Sequence, residues 1–173
     1  MTSNLAPRVP NLPAHAACLW AVFFAVVHLY WLVGGRLGLP SGLSFSADDN
    51  LPLFIIDVVA IPLCLVAAAL ALTLARSRVR HASRRTVLVA GWGTTLLLVV
   101  HALPTFGDWV MLATGALSLD ELGSLERFVV VLYEPFFLAG GVLFCLATAA
   151  FQLRTARPPA ESSSGSSGAV SPV

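Results

Sequence analysis

The chain has 173 residues, enough for one domain, of which 57% are hydrophobic and 11% charged. Soluble domains carry about 25% charged residues, so this surface is too poor in charge to face water, and its expected solvent is the lipid bilayer. The net charge of +1 lacks the strongly basic balance of a nucleic-acid binder, and no nucleic-acid partner is expected.

In chain order, a segment 1–14 is expected in the cytoplasm. A membrane domain follows over 15–153. Its four apolar spans run over about 16–35, 51–75, 86–106 and 128–151. A helix needs about 20 residues to cross a hydrocarbon core of about 30 Å, and no water is available there to satisfy backbone groups. The fold class is therefore all-α, a membrane-spanning four-helix bundle. The first span is too long for a typical signal-peptide core and lacks a following A-x-A site, so it is read as a retained helix. Residues 154–173 read as a disordered cytoplasmic tail, Ser- and Gly-rich with no apolar period.

Orientation follows from arginine. The connection between spans two and three holds Arg76, Arg78, Arg80, Arg84 and Arg85, while Arg8, Arg154 and Arg157 flank the bundle on the same side. The opposite side carries Arg36, Arg127 and six acidic residues: Asp48, Asp49, Asp108, Asp120, Glu121 and Glu126. The positive-inside rule then places both termini in the cytoplasm of a multi-pass cell-membrane protein. The five arginines of the middle connection also suit contact with anionic lipid headgroups; the simpler reading is a topology signal.

Small residues mark expected helix contacts. In span two Ala67, Ala71 and Ala75 recur every four residues, and in span four Gly141, Cys145 and Ala149 do the same. Gly91 and Gly93 flank Trp92 in span three. Cys18, Cys64 and Cys145 lie inside spans with no C-x-x-C pair, which argues for packing and against a disulfide framework. Ser118 followed three residues later by Glu121 predicts the start of a short helix before span four, and Trp109 to Leu117 is apolar enough to rest on the membrane surface.

The informative residues are polar. Each span holds one intramembrane histidine or carboxylate away from its cytoplasmic end: His28, Asp57, His101 and Glu134. Counting from the outer ends of the spans, all four fall about 5–8 residues deep, or roughly 8–12 Å. Intramembrane ionisable groups are costly and usually face the bundle interior. One connected cluster is therefore expected, as a small-ligand, metal or proton site or as a packing network. Two imidazoles and two carboxylates suit a divalent metal, but no H-x-x-x-H or E-x-x-H pair supports one. A haem between His28 and His101 would have to lie between diagonal helices. Pro135 directly follows Glu134, and a kink there would free a backbone carbonyl near the carboxylate. Trp31, three residues after His28, together with Tyr133 and Pro135, is a candidate pocket wall.

The stretch HLYWLVGGRLGLP, from His28 to Pro40, and YEPFFLAGGVLF, from Tyr133 to Phe144, resemble a bacterial family of small four-helix membrane proteins catalogued as a domain of unknown function. Its pattern is H-x-Y-W-x-x-G-G at the end of the first helix and Y-x-P-F-F-x-x-G-G-x-x-F in the fourth. The resemblance covers residues 15 to about 153. It directs attention to His28, Tyr30, Trp31, Gly34, Gly35, Tyr133, Pro135, Gly140 and Gly141, and it implies no reaction or cofactor. Binding protein, structural or accessory subunit, and intramembrane enzyme all remain open. No nucleophile motif, phosphate loop or metalloprotease signature singles out the last.

Overall fold

A computed structural model describes residues 11–76 and 81–156, with backbone alone for His81 and Ala82. Every regular element among the described residues is helical. Helix α1 spans Leu12–Leu32 and α2 spans Leu51–Ala75. Helix α3, His81–Ala102, continues through a 3₁₀ turn, Leu103–Thr105, into α4, Phe106–Thr114. Helix α5, Ser124–Phe128, continues through a π-helical turn, Val129–Tyr133, into α6, Glu134–Ala156. Among the described residues, four units are long and apolar enough to cross a membrane: Leu12–Leu32, Leu51–Ala75, Ser83–Thr114 and Ser124–Ala156.

Asn50 starts α2, its side chain accepting from the Leu53 N–H at 3.2 Å, with Pro52 in the first turn, where its missing N–H costs nothing. The second span agrees with the sequence reading. The first starts earlier, at Leu12, and ends earlier, because Gly34 adopts φ +94°. The last two are longer than expected, at 32 and 33 residues. Pro104 does not end the third unit: a proline early in a new turn loses no hydrogen bond, and the chain tightens into 3₁₀ and continues. The residues from Trp109 to Thr114 are thus helical and continuous with α3. The Ser118–Glu121 pair is a further correction. The Glu121 carboxylate does accept from the Ser118 N–H at 2.8 Å, but only a turn forms there. The helix starts at Ser124, with Glu126 reaching back to the Gly123 N–H at 2.9 Å.

The long units alternate in direction. One end of the bundle carries the start of α1, the end of α2, the start of α3 and the end of α6; this is the termini end. The other, the loop end, carries the connections 33–50 and 115–123. Helix α1 packs along α2, and α3 along α6, and the two pairs join through α1 and α6. Helices α2 and α3 meet over a much shorter stretch, so the bundle is loosest along that seam.

The core lies mainly in the half nearer the termini. Ala17, Ala21, Ala71, Leu74, Phe144, Ala147 and Phe151 are buried there. Large apolar residues cover the outside, including Leu19, Leu63, Val89 and Leu97, as lipid-facing helices require. Glycines set the closest approaches. A Cβ on Gly140 would fall on the Trp20 ring, and one on Gly91 would lie 2.5 Å from the Thr148 hydroxyl. Gly93 faces open space. The buried stripe of α6 is Gly140, Gly141, Phe144, Ala147, Thr148 and Phe151. It replaces the expected Gly141–Cys145–Ala149 row, in which Cys145 and Ala149 are only half-buried. A strict four-residue row drifts around a helix of 3.6 residues per turn, so a contact face alternates steps of three and four.

Polar ties close the termini end. Arg154 donates to the Leu74 carbonyl at 2.7 Å, satisfying a backbone group in the last turn of α2. Arg84 donates to Thr155 at 2.8 Å, and Trp92 to Gln152 at 3.2 Å. Arg84 therefore has a helix-pairing contact, whereas Arg76 and Arg85 are exposed. Arg8, Arg78, Arg80, Arg157 and most of the expected tail lie outside the described residues.

Candidate functional site

The site begins with the way α1 ends. The Gly34 N–H bonds to the Trp31 carbonyl and the Gly35 N–H to the Tyr30 carbonyl, each at 2.9 Å. This is the Schellman pattern, with glycine in the left-handed position that a side chain would strain. Gly35 has no room for a Cβ because the Tyr30 ring lies against it. The chain then folds back so that one residue, Leu37, is held at both its N–H and its carbonyl. The Leu37 N–H donates to the Tyr30 hydroxyl at 3.2 Å, and the Trp31 indole donates to the Leu37 carbonyl at 3.1 Å. The H-x-Y-W-x-x-G-G string is thus one device: the glycines end the helix and the two aromatics fasten the returning loop.

That fastening roofs the histidine. The Trp31 ring stacks on Phe45 at 5.3 Å and stands edge-on to His28 at 5.5 Å. Below it, Phe24 contacts His28 edge-on at 4.4 Å. Between these rings His28 Nδ1 bonds Asp57 Oδ1 of α2. Both side chains are buried, with 1% and 0% exposure. Two atoms of the couple, His28 Nε2 and Asp57 Oδ2, are buried without a partner. Isolated buried charge is strongly unfavourable, and pairing offsets much of that cost.

The second pair sits across the bundle. His101 Nε2 of α3 is 3.7 Å from Glu134 Oε1 of α6, and Glu134 Oε2 is buried and unpaired. His101 is 46% exposed, and its ring stacks on Phe137 at 4.0 Å. Among the described residues its side chain makes no hydrogen bond.

The segment before Glu134 is where Pro135 acts. The Glu134 N–H reaches back five residues to the Val129 carbonyl, which makes the π turn. The Val130 carbonyl then receives the Trp109 indole N–H at 2.8 Å. Inserting one residue into a helix displaces one hydrogen bond, and such π turns recur at functional sites. Here the freed carbonyl pins the extended third span to the fourth.

One cavity connects the two pairs. It has a volume of about 380 Å³ and opens along the loose α2–α3 seam, between Ile56, Leu63 and Val66 on one side and Ala90, Thr94 and Leu97 on the other. His28 and His101 both line it, with Trp20, Phe24, Tyr133 and Phe137. The wall is otherwise almost wholly apolar. Phe24 and Tyr133 also line a second, aromatic cavity of about 260 Å³ on the α1–α6 side, shared with Trp31 and Phe136.

The four polar residues are therefore brought together as two pairs, whose histidines line one cavity, and not as one connected cluster. Among the described residues no three His, Cys, Asp or Glu side chains stand close enough to hold a metal ion. The metal centre that the sequence allows is not assembled, because α1–α2 and α3–α6 each keep their own His–carboxylate contact. Of the expected pocket walls, Tyr133 lines both cavities and Trp31 lines the aromatic one, while Pro135 lines neither and acts through the backbone. The sequence reading missed Phe24, Phe45, Phe137 and the role of Trp109. Phe24 could have been found four residues before His28, on the same helix face; nothing local points to Phe45.

No curated protein and no solved structure matches the chain. A family profile described as "Protein of unknown function (DUF3995)" matches residues 21–144. That stretch holds both motifs' histidine, tyrosine, tryptophan and glycines, and all four intramembrane polar residues. The chain belongs to the DUF3995 family.

Proposed function

We propose that this is a cell-membrane protein with both termini in the cytoplasm, and that the α2–α3 cavity binds a small membrane-dissolved molecule carrying a hydrogen-bonding group. The observation that carries the reading is His28: a fully buried, carboxylate-paired histidine with an unpartnered Nε2, lining an otherwise apolar cavity open toward lipid. Ligand sites are mostly apolar with a few convergent polar groups. Intramembrane ionisable residues mark such sites. A purely structural network would pair its atoms, yet His28 Nε2, Asp57 Oδ2 and Glu134 Oε2 are all unpaired. The arginine distribution supports the orientation, and the exposure of Arg76 and Arg85 supports contact with anionic headgroups.

The test is photolabelling in membranes with a diazirine-bearing decanol. Labelling concentrated on buried cavity residues such as Cys64 and Leu98, and lost on filling the cavity with Ala60→Trp, is the expected result. Labelling spread evenly over the lipid-facing surface, and unchanged by Ala60→Trp, would overturn the reading.

A further inference from the structure

We propose that the α1–α6 seam carries a second site, a groove that seats one phospholipid, with its phosphate on Arg127 and one acyl chain in the aromatic cavity. The groove lies on another seam than the α2–α3 cavity, and its occupant does not depend on what that cavity binds.

The groove is made of two neighbouring hollows. The inner one is the aromatic cavity of about 260 Å³, which lies between two ring contacts that join α1 to the last helical unit. At its deep end Phe24 meets Phe136 at 4.9 Å, and nearer the loop end Trp31 meets Phe128 at 6.4 Å. Between Phe24 and Trp31 the helix rises about 10 Å. A second hollow continues outward past Gly38, Phe128 and Leu132, which line both, and reaches Ser124 and Arg127. From Arg127 to Phe136 the chain rises about 14 Å as helix. One leaflet is half of a hydrocarbon core about 30 Å thick, so the groove runs the depth of one leaflet, the length that an acyl chain fills.

The two ends of the groove differ as the two ends of a phospholipid do. Rings and aliphatic side chains line the inner part. At the outer end Arg127 is the one charged side chain among the lining residues of either hollow, and none of the six acidic residues of the loop end lines the groove. Arg127 donates to the Leu122 carbonyl at 3.3 Å. That contact uses one of five N–H donors. Among the described residues no carboxylate stands within ion-pair distance of Arg127, and its neighbour Glu126 turns back to the Gly123 N–H. A guanidinium with free donors takes phosphate through paired hydrogen bonds. An apolar groove open to a bilayer takes hydrocarbon, and a cation at the interfacial end selects hydrocarbon that carries a phosphate.

The π turn builds the wall between the two ends. Leu132 and Tyr133 of that turn line the inner hollow, and Val131 and Leu132 line the outer one. Val131 and Leu132 are about half-exposed, so this stretch of wall is open to an incoming chain. Such turns recur at functional sites.

The test is native mass spectrometry of the full chain in detergent, with dimyristoyl phosphatidylglycerol and with dimyristoylglycerol, which has the same chains and no phosphate. The protein is expected to retain one phosphatidylglycerol at least about tenfold more tightly than the diacylglycerol. Arg127→Gln should abolish that preference, and Arg127→Lys should restore part of it, because a lysine still binds phosphate as a point charge. Arg36→Gln removes the other cation of the loop end, which lines neither hollow, and should leave retention unchanged. Leu132→Trp, at an exposed position, should block the groove and weaken both lipids. Ala60→Trp, which fills the α2–α3 cavity, should change nothing. Circular dichroism confirms that each variant is folded. Equal retention of the two lipids would overturn the phosphate assignment, as would equal losses from Arg127→Gln and Arg36→Gln. Retention that survives Leu132→Trp, or that is lost with Ala60→Trp, would overturn the placement of the chain in this groove.

Discussion

At the scale of single residues, the chain concentrates its cost in two imidazole–carboxylate pairs. His28 and Asp57 are the stronger case, because neither side chain reaches solvent or lipid. Removing one partner of a buried hydrogen-bonded pair leaves the other group unsatisfied, at a cost of about 1–3 kcal/mol, and more where that group is charged. Asp57→Leu and His28→Leu should each lower stability in detergent by an amount of that order. The double variant should cost clearly less than the sum, because the two residues share one interaction. By contrast, Asp57→Leu and Glu134→Leu lie in different pairs, and their effects should add. Denaturant melts of the three single variants and the two double variants check both statements. Additivity within the His28–Asp57 couple would show that the two do not interact, and strong coupling between Asp57 and Glu134 would show one cluster instead of two pairs.

At the scale of elements, backbone irregularities do the positioning. The Schellman turn at Gly34 and Gly35 sends the loop back over His28, and the π turn before Glu134 frees the carbonyl that Trp109 takes. Small residues let the helices approach closely enough for these contacts. Trp20 shows this best: it lies against Gly140, and its indole donates to the Phe136 carbonyl at 3.1 Å. Gly140→Leu would place a branched side chain where the Trp20 ring stands. Overpacking of this kind costs typically 1–3 kcal/mol. A drop in detergent melting temperature and an increase in Trp20 fluorescence accessibility to acrylamide are expected. At Gly93, which faces open space, the same substitution should change little, and equal effects at the two sites would remove the packing role of Gly140.

At the scale of the whole molecule, the spans and their arginines make a topology prediction. Single cysteines at Arg76 and Arg85, in a background lacking Cys18, Cys64 and Cys145, should react with a membrane-impermeant maleimide only from the cytoplasmic side. Cysteines at Ser41 and Ser118 should react only from the opposite side. The reverse pattern would invert the protein and put the α2–α3 cavity nearer the cytoplasmic leaflet.

The sequence by itself determined the solvent, the number of spans, the second span's limits and the four polar residues, because these follow from composition and from the cost of charge in lipid. It also carried the resemblance to a family of unknown function, which the profile over residues 21–144 bears out. Tertiary structure alone decided the rest. Which carboxylate each histidine meets depends on which helices pack closely, and apolar all-round helices carry no periodic stripe to announce their neighbours. The continuation of the third span past Pro104 depends on the partner that Trp109 finds twenty-one residues away in the fourth. The cavity exists because α2 and α3, although consecutive, each pack better against another helix than against each other.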